Sequence, residues 1–383
     1  MRTIYFDNGA TTAPDPLVIE EMVRYLTDYY GNPSSGHQVG REARAGVELA
    51  RQRVAAALGA KPQEIVFTSG GSEADYLAIR GTVKALGRQQ GHIIISAFEH
   101  HAVLDTCLAL EREGFIITLA EIGEDGIIDP GVVEREMRPE TFLLSVMHAN
   151  NEIGTVQPVR EIAVLAHKHG IVAHTDAVQS FGKIPVDVNE LGVDLLTVSS
   201  HKIHGPKGAG ALYIREGTPW EPINFGGGQE ATRRPGTENV PGVVGLGAAA
   251  EMAVRRLEED AERVRLLRER LVDGVLNGIS GSSLNGDRVR RIPGNVHFSF
   301  KGVPSRDLLA ELDQRGICAS GASACSSGAC TASHVLTAIG LPLALALSAV
   351  RFTLSKDNTL DEVDFTLEAL CEVVGRIRRE NPR

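Results

Sequence analysis

The feature that most constrains this chain is a regular alternation of short apolar runs and amphipathic stretches between residues 64 and 199. Runs suited to buried strands occur at 64–68, 92–96, 115–120, 142–147, 171–176 and 194–199. Helical patterns fall between them, from about Ala102, near Pro130 and from Pro158 to His169. Such repetition dictates an α/β fold with a mainly parallel sheet and helices on both faces. In an open sheet of this kind ligands gather at the carboxyl ends of the strands, so candidate functional residues are sought there.

Two strand ends carry complementary chemistry. The run Asp194-Leu195-Leu196-Thr197-Val198-Ser199 passes into Ser200-His201-Lys202-Ile203-His204-Gly205-Pro206-Lys207-Gly208, which places Lys202 where a strand stops. A lysine among apolar neighbours loses part of its affinity for a proton and can condense with an aldehyde. Taken alone, Lys202 and Lys207 also suit solvated loop positions. The run Ile171-Val172-Ala173-His174-Thr175-Asp176 decides between these, because it too ends in a titratable group, with Gln179 following. Pyridoxal 5'-phosphate (PLP) needs a carboxylate to keep its pyridine nitrogen protonated and a lysine for its aldehyde. Asp176 and Lys202 supply that pair.

Other segments fit the same cofactor. Ser69-Gly70-Gly71-Ser72-Glu73 opens a helix after the strand at 64–68; its glycines, unpaired N–H groups and Ser72 hydroxyl suit a phosphate, and equally a turn with an N-cap. His100 suits stacking on an aromatic ring, proton transfer or capping a helix. Asn151 suits a hydrogen bond to a ring substituent or a carboxylate, or a turn. Arg351, within the strand-like Ala349-Val350-Arg351-Phe352-Thr353-Leu354, can grip a carboxylate bidentately or serve as an ordinary strand arginine.

Composition narrows the partners. The net charge of −10 over 383 residues argues against direct nucleic-acid binding through the protein's own field. No run is long and apolar enough to span a membrane, and Met1-Arg2-Thr3-Ile4-Tyr5-Phe6-Asp7 lacks a signal-peptide layout, so a cytoplasmic protein is expected. The five cysteines, Cys107, Cys318, Cys325, Cys330 and Cys371, are odd in number and irregularly spaced. This argues for thiol chemistry rather than a disulfide framework, and no clustered ligand set suggests a metal. Two of them lie in the small-residue run Ala319-Ser320-Gly321-Ala322-Ser323-Ala324-Cys325-Ser326-Ser327-Gly328-Ala329-Cys330-Thr331, expected to be exposed and flexible. Asn224 to Asn239, with Gly226-Gly227-Gly228, reads as a mobile loop. A long charged helical stretch from about Val240 to Val275 reads as the connection to a second domain.

Several motifs in register resemble one family. They are Asp7-Asn8-Gly9-Ala10-Thr11-Thr12, Gly31-Asn32-Pro33-Ser34-Ser35, Ser69-Gly70-Gly71-Ser72-Glu73, Glu99-His100, His148-Ala149-Asn150-Asn151-Glu152-Ile153-Gly154, Asp176-Ala177-Val178-Gln179, Ser199-Ser200-His201-Lys202, Arg234-Pro235-Gly236-Thr237-Glu238-Asn239 and Ser323-Ala324-Cys325. Together these resemble the cysteine desulfurases of the NifS/IscS branch, PLP enzymes of the class V aminotransferase superfamily.

The resemblance implies a fold type I PLP-dependent transferase that works as a homodimer. Residues 16–254 would form a large domain with a mainly parallel, seven-stranded-type sheet. Residues 1–15 and 255–383 would form a smaller α+β domain carrying a cysteine loop at about 319–333. It further implies that Lys202 holds PLP, Asp176 its ring nitrogen and Gln179 its ring hydroxyl. His100 would stack on the ring, and Asn151 would contact the ring hydroxyl or substrate. Gly71, Ser72, Ser199 and His201, with Thr237 from the other subunit, would hold the phosphate. Arg351 would bind the carboxylate of L-cysteine, and Cys325 would take its sulfur as a persulfide for a protein acceptor in iron–sulfur cluster assembly or in tRNA or DNA thio-modification.

Departures from the pattern are Gly9 for alanine, Ser72 for threonine, Tyr76 for asparagine, the segment before Arg234, and Cys330. Cys330 is expected to receive the persulfide, to pair with Cys325, or to be a bystander. A selenocysteine lyase or another PLP aminotransferase-like enzyme would keep Lys202 and Asp176 without needing Cys325. A non-catalytic scaffold for sulfur-carrying partners would need none of the three.

Overall fold

The computed structural model describes residues 3–321 and 332–380. The strands, in chain order, are β1 (Ile4–Tyr5), β2 (Ile65–Thr68), β3 (His92–Ser96), β4 (Ile116–Ala120), β5 (Thr141–Ser145), β6 (Val172–Asp176), β7 (Leu195–Ser199), β8 (Gly210–Ile214), β9 (Ser282–Leu284), β10 (Asn295–Phe300), β11 (Ile317–Cys318), β12 (Ser320–Gly321) and β13 (Ala349–Thr353). Seven of them form one sheet in the order β2-β8-β7-β6-β5-β3-β4. Pairing is parallel from β4 to β7, and β8 runs antiparallel to both β7 and β2.

Strands β3, β5, β6 and β7 are buried along their whole length, because helices cover both faces of the sheet. One face packs on Val47, Val54, Leu58, Val243 and Leu246 from the helices Gln38–Leu58 and Val240–Arg255. The other packs on Leu77, Ile79, Val103 and Leu110 from Gly71–Ala85 and His101–Arg112. The chain leaves β3 for β4 on one side and returns to β5 on the other. At such a switch point the connecting segments diverge and open a crevice at the strand ends. The segments holding His100 and Asn151 line it.

A second sheet, β12-β13-β10-β9, is antiparallel and covered by the helices Leu257–Gly278, Ser305–Gln314 and Leu360–Glu380. Its core of Leu271, Phe298, Phe300, Phe352 and Leu370 also takes in Ile4 and Phe6. The parallel pairing of β1 with β11 fixes that N-terminal segment.

Two expectations are corrected. The helical stretch read as continuous from Val240 to Val275 is two helices, Val240–Arg255 and Leu257–Gly278, separated at Arg256 (φ −105°, ψ 6°). The segment read as a mobile loop from Asn224 to Asn239 is pinned at its middle. Glu230 is buried, accepts from Arg51 Nη1 at 2.9 Å and Nη2 at 2.7 Å, and accepts from the Phe67 N–H at 2.8 Å. Composition could not show this, because the partner lies far away on the helix Gln38–Leu58.

That anchor also holds an unfavourable backbone. Glu230, Ala231 and Thr232 have φ of 48°, 52° and 68°, a left-handed run costly for residues with a Cβ. Removing one partner of a buried ion pair leaves an uncompensated charge worth about 3 kcal/mol or more. Arg51→Ala should therefore lower the urea-unfolding free energy by about 3 kcal/mol, with Arg51→Met/Glu230→Gln recovering much of the loss. A single variant as stable as the wild type would show that water replaces the arginine.

Candidate active site

Strands β6 and β7 are adjacent and parallel, so Asp176 at the end of β6 and Lys202, on the 3₁₀ turn Ser200–Lys202 after β7, reach the same edge of the sheet. Together with Gly71, Ser72, His100, Asn151, Gln179, Ser199, His201 and Arg351 they line one cavity of about 220 Å³. Thr237 is exposed and lines a different depression with Tyr30 and Asn32. Cys325 and Cys330 lie outside the described residues.

Lys202 has its Nζ directed at backbone carbonyls, donating to Gly9 at 2.6 Å and Ala10 at 2.8 Å. Burial, with the Arg351 cation next in weight, brings its pKa down to about 8. Asp176 accepts from the Val178 N–H at 2.8 Å, and burial raises its carboxyl above the ordinary range. His100 caps the helix His101–Arg112, its Nδ1 accepting from the Ala102 N–H at 3.1 Å, and burial lowers its pKa. His100 therefore caps a helix and lines the cavity at once. His201 is pushed down to about 4 by burial and by Lys202.

Arg351 comes from the other sheet. It stands on β13 and donates through Nη1 to the Asn151 carbonyl at 2.7 Å and through Nη2 to Asp7 Oδ1 at 2.8 Å. Both edges of the undescribed segment approach this arginine. Ser320 pairs with Arg351 across β12 and β13, and Ser333 donates to Glu152 Oε2 at 2.6 Å, one residue beyond Asn151.

The residues fit PLP. Ser199 Oγ and Asn151 Oδ1 are buried without hydrogen-bond partners among the described residues, as expected of groups that await a ligand. The helix Gly71–Ala85 begins at the cavity without a side-chain cap, leaving N–H groups for a phosphate. A Cβ on Gly71 would come within 2.9 Å of Val178 Cγ2 and 3.6 Å of Ser199 Cβ, so glycine keeps this cradle open.

Reading the strand ends alone missed Asp75, Gly9 and Ala10, which line the cavity, and Asp7, which pairs with Arg351. Asp75 had a signal. It shares a helical stripe with Ala78, Ile79 and Thr82, all buried, and a lone carboxylate there is out of place unless it serves a site. Its Oδ1 has no hydrogen-bond partner among the described residues, the nearby His174 Nε2 standing 3.6 Å away, and burial, reinforced by Asp176, pushes its pKa well up.

A mainly parallel sheet with a lysine of lowered pKa and a carboxylate at adjacent strand ends defines the site of a PLP-dependent enzyme. Residues 4–365 match the model of the family described as aminotransferase class-V. The chain is 46% identical over 381 residues to a cysteine desulfurase IscS of Dictyoglomus turgidum, covering 100% of this chain and 97% of that one. The solved structure of a NIFS-like protein superposes with a TM-score of 0.92 at 38% identity, over 98% of this chain and 100% of that one. Another, of SspA in complex with cysteine, gives a TM-score of 0.83 at 38% identity, over 93% and 100%. The chain belongs to the aminotransferase class-V family and, within it, to the NifS/IscS-like cysteine desulfurases.

Lys202 must be uncharged to attack an aldehyde, and its lowered pKa makes the free amine abundant at lower pH than for an ordinary lysine. The rate at which apoenzyme captures PLP should therefore climb up to about pH 8 and level off above it. A rate that keeps climbing to pH 10, read by stopped-flow absorbance, would show that the buried site leaves Lys202 with an ordinary lysine's pKa, near 10.4.

Proposed function

We propose that this chain converts L-cysteine to L-alanine and passes the sulfur, as a persulfide on Cys325, to a protein acceptor. The observation that carries the reading is the meeting of Arg351, from the second sheet, with the Lys202 and Asp176 pair in one cavity. An amino acid needs a carboxylate anchor as well as an amine-handling lysine, and Arg351 is the cation that supplies it.

PLP, when bound, supplies an electron-accepting ring conjugated to an aldehyde. Asp176 would hold a proton at the ring nitrogen, Gln179 would donate to the ring oxygen, Asn151 would contact that oxygen or the substrate, and His100 would lie against the ring. Gly71, Ser72, Ser199 and His201 would hold the phosphate, with Thr237 of a second copy. The exposure of Thr237, away from its own chain's cavity, is compatible with that contribution from a homodimer. A core that draws residues from both chain ends, distinct from the two flanking the seven-stranded sheet, favours a large domain of 16–254 and a smaller one of 1–15 and 255–383, with Val335, Leu336 and Ile339 of the latter packing into the former.

Arg351 would exchange Asp7 for the substrate carboxylate. Lys202, as free amine, would remove the α-proton of L-cysteine. The Cys325 thiolate would then attack the substrate sulfur: an S–S bond forms, the Cβ–S bond breaks, Cβ takes up a proton, and Lys202 returns a proton to Cα as alanine forms. His100, kept neutral by burial, would accept the Cys325 proton. The binding of cysteine by the structurally similar SspA supports L-cysteine as substrate.

Alanine release from L-cysteine in the presence of a thiol reductant tests the reading. The wild type should form alanine and Cys325→Ser almost none, whereas equal rates would remove Cys325 from the chemistry. Arg351→Lys should raise KM for L-cysteine about tenfold or more, because a lysine cannot make the paired contact of a guanidinium. An unchanged KM would assign the carboxylate to another group.

A further inference from the structure

The chemistry above makes no use of Lys183, a half-buried lysine. It follows β6 on the same turn as Gln179, four residues later, and borders a second cavity of about 90 Å³ between the two sheets. Its Nζ donates to Gln179 Oε1 at 3.1 Å, and among the described residues no carboxylate lies within ion-pair distance. Burial, with Lys202 and Arg351 adding to it, brings its pKa down to about 7. Gly182 delivers it there. Its φ is +71°, and a Cβ would come within 2.8 Å of Ile203 Cγ2.

Holding a half-buried lysine without a counter-ion costs folding free energy, which a task in the site would offset. The hydrogen bonds of Gln179 indicate one. The amide Oε1 faces Lys183, which as an ammonium can only donate. The amide Nε2 donates to the Gly9 carbonyl at 2.9 Å, which can only accept. The amide is thus bracketed by partners of opposite kind, and a flip would break both bonds. Nε2 carries a second hydrogen with no partner among the described residues, and Gln179 lines the PLP cavity.

We propose that Lys183 is a positioning residue that fixes the Gln179 amide with its N–H₂ edge toward the ring oxygen of PLP. This rests on the reading that Gln179 contacts that oxygen. The oxygen is an anion when the cofactor is joined to Lys202, and it needs a donor; a flipped amide would present it with a second oxygen. Without Lys183 the Gly9 carbonyl alone holds the amide against a flip.

The test is a pH titration of the visible absorption band of the purified holoenzyme, compared across Gln179→Leu, Lys183→Met and the double variant. A donor to the ring oxygen stabilises it most when the neighbouring nitrogen has lost its proton, so losing the donor moves the midpoint upward, by about one pH unit for a hydrogen bond to a charged group. Lys183→Met should shift the midpoint up, and the double variant should match Gln179→Leu. Lys183→Arg, which keeps a donor and has the neighbouring cavity for its extra atoms, should stay near the wild type. Additive shifts in the double variant would overturn the proposal, since Lys183 would then act by its charge alone. A shift in Gln179→Leu with none in Lys183→Met would overturn it while leaving the role of Gln179 intact. No shift in Gln179→Leu would overturn both.

Discussion

The Lys202 ammonium is held by the carbonyls of Gly9 and Ala10, with Asp7 only two residues further along the same segment. Those carbonyls belong to the N-terminal segment, which is fixed from the second sheet. Phe6 sits in that sheet's core, the Asn8 side chain donates to the Thr353 carbonyl at 2.9 Å, and the Gly9 N–H donates to Thr353 Oγ1 at 2.6 Å. Arg351 stands two residues before Thr353 on the same strand. The position of the lysine amine, the orientation of Gln179 and the reach of Arg351 are therefore set by one strand, β13, through the chain that crosses it. The parallel sheet supplies the lysine and the carboxylate, and the second sheet supplies what aims them.

What the sequence made legible follows from the range of the interactions involved. Strand ends on a parallel sheet are a local signal, and the apolar runs ending in Asp176 and Lys202 displayed it without any knowledge of their contacts. The sheet architecture was legible for the same reason. Interactions between distant segments left no local trace. The bidentate bond between Arg51 and Glu230 joins a helix to a glycine-rich segment that composition marks as loose, and the pairing of Asp7 with Arg351 spans nearly the whole chain. Asp75 is intermediate, because its place on a buried helical stripe was visible and only its destination was not. The break at Arg256 carries no glycine or proline, so the charged pattern ran through it unmarked.

The charges in the cavity explain how it can stay assembled before a substrate arrives. Arg351 lowers the affinity of both Lys202 and Lys183 for protons, and Lys202 adds to the effect on Lys183. Such a cluster favours anions, and both a phosphate and an amino-acid carboxylate are anions. Leaving Arg351 unpaired among these cations would be costly, and its side chain is about nine-tenths hidden from solvent. Asp7 removes that cost while the site is empty. A substrate carboxylate bound there, as proposed, would replace one oxygen acceptor with another and would leave the guanidinium satisfied throughout. The released Asp7 is itself about a quarter exposed, so it can regain water. On the proposed reading, a carboxylate ligand would enter by exchange rather than by fresh desolvation of the arginine, and a neutral ligand could not take over the charge of Asp7.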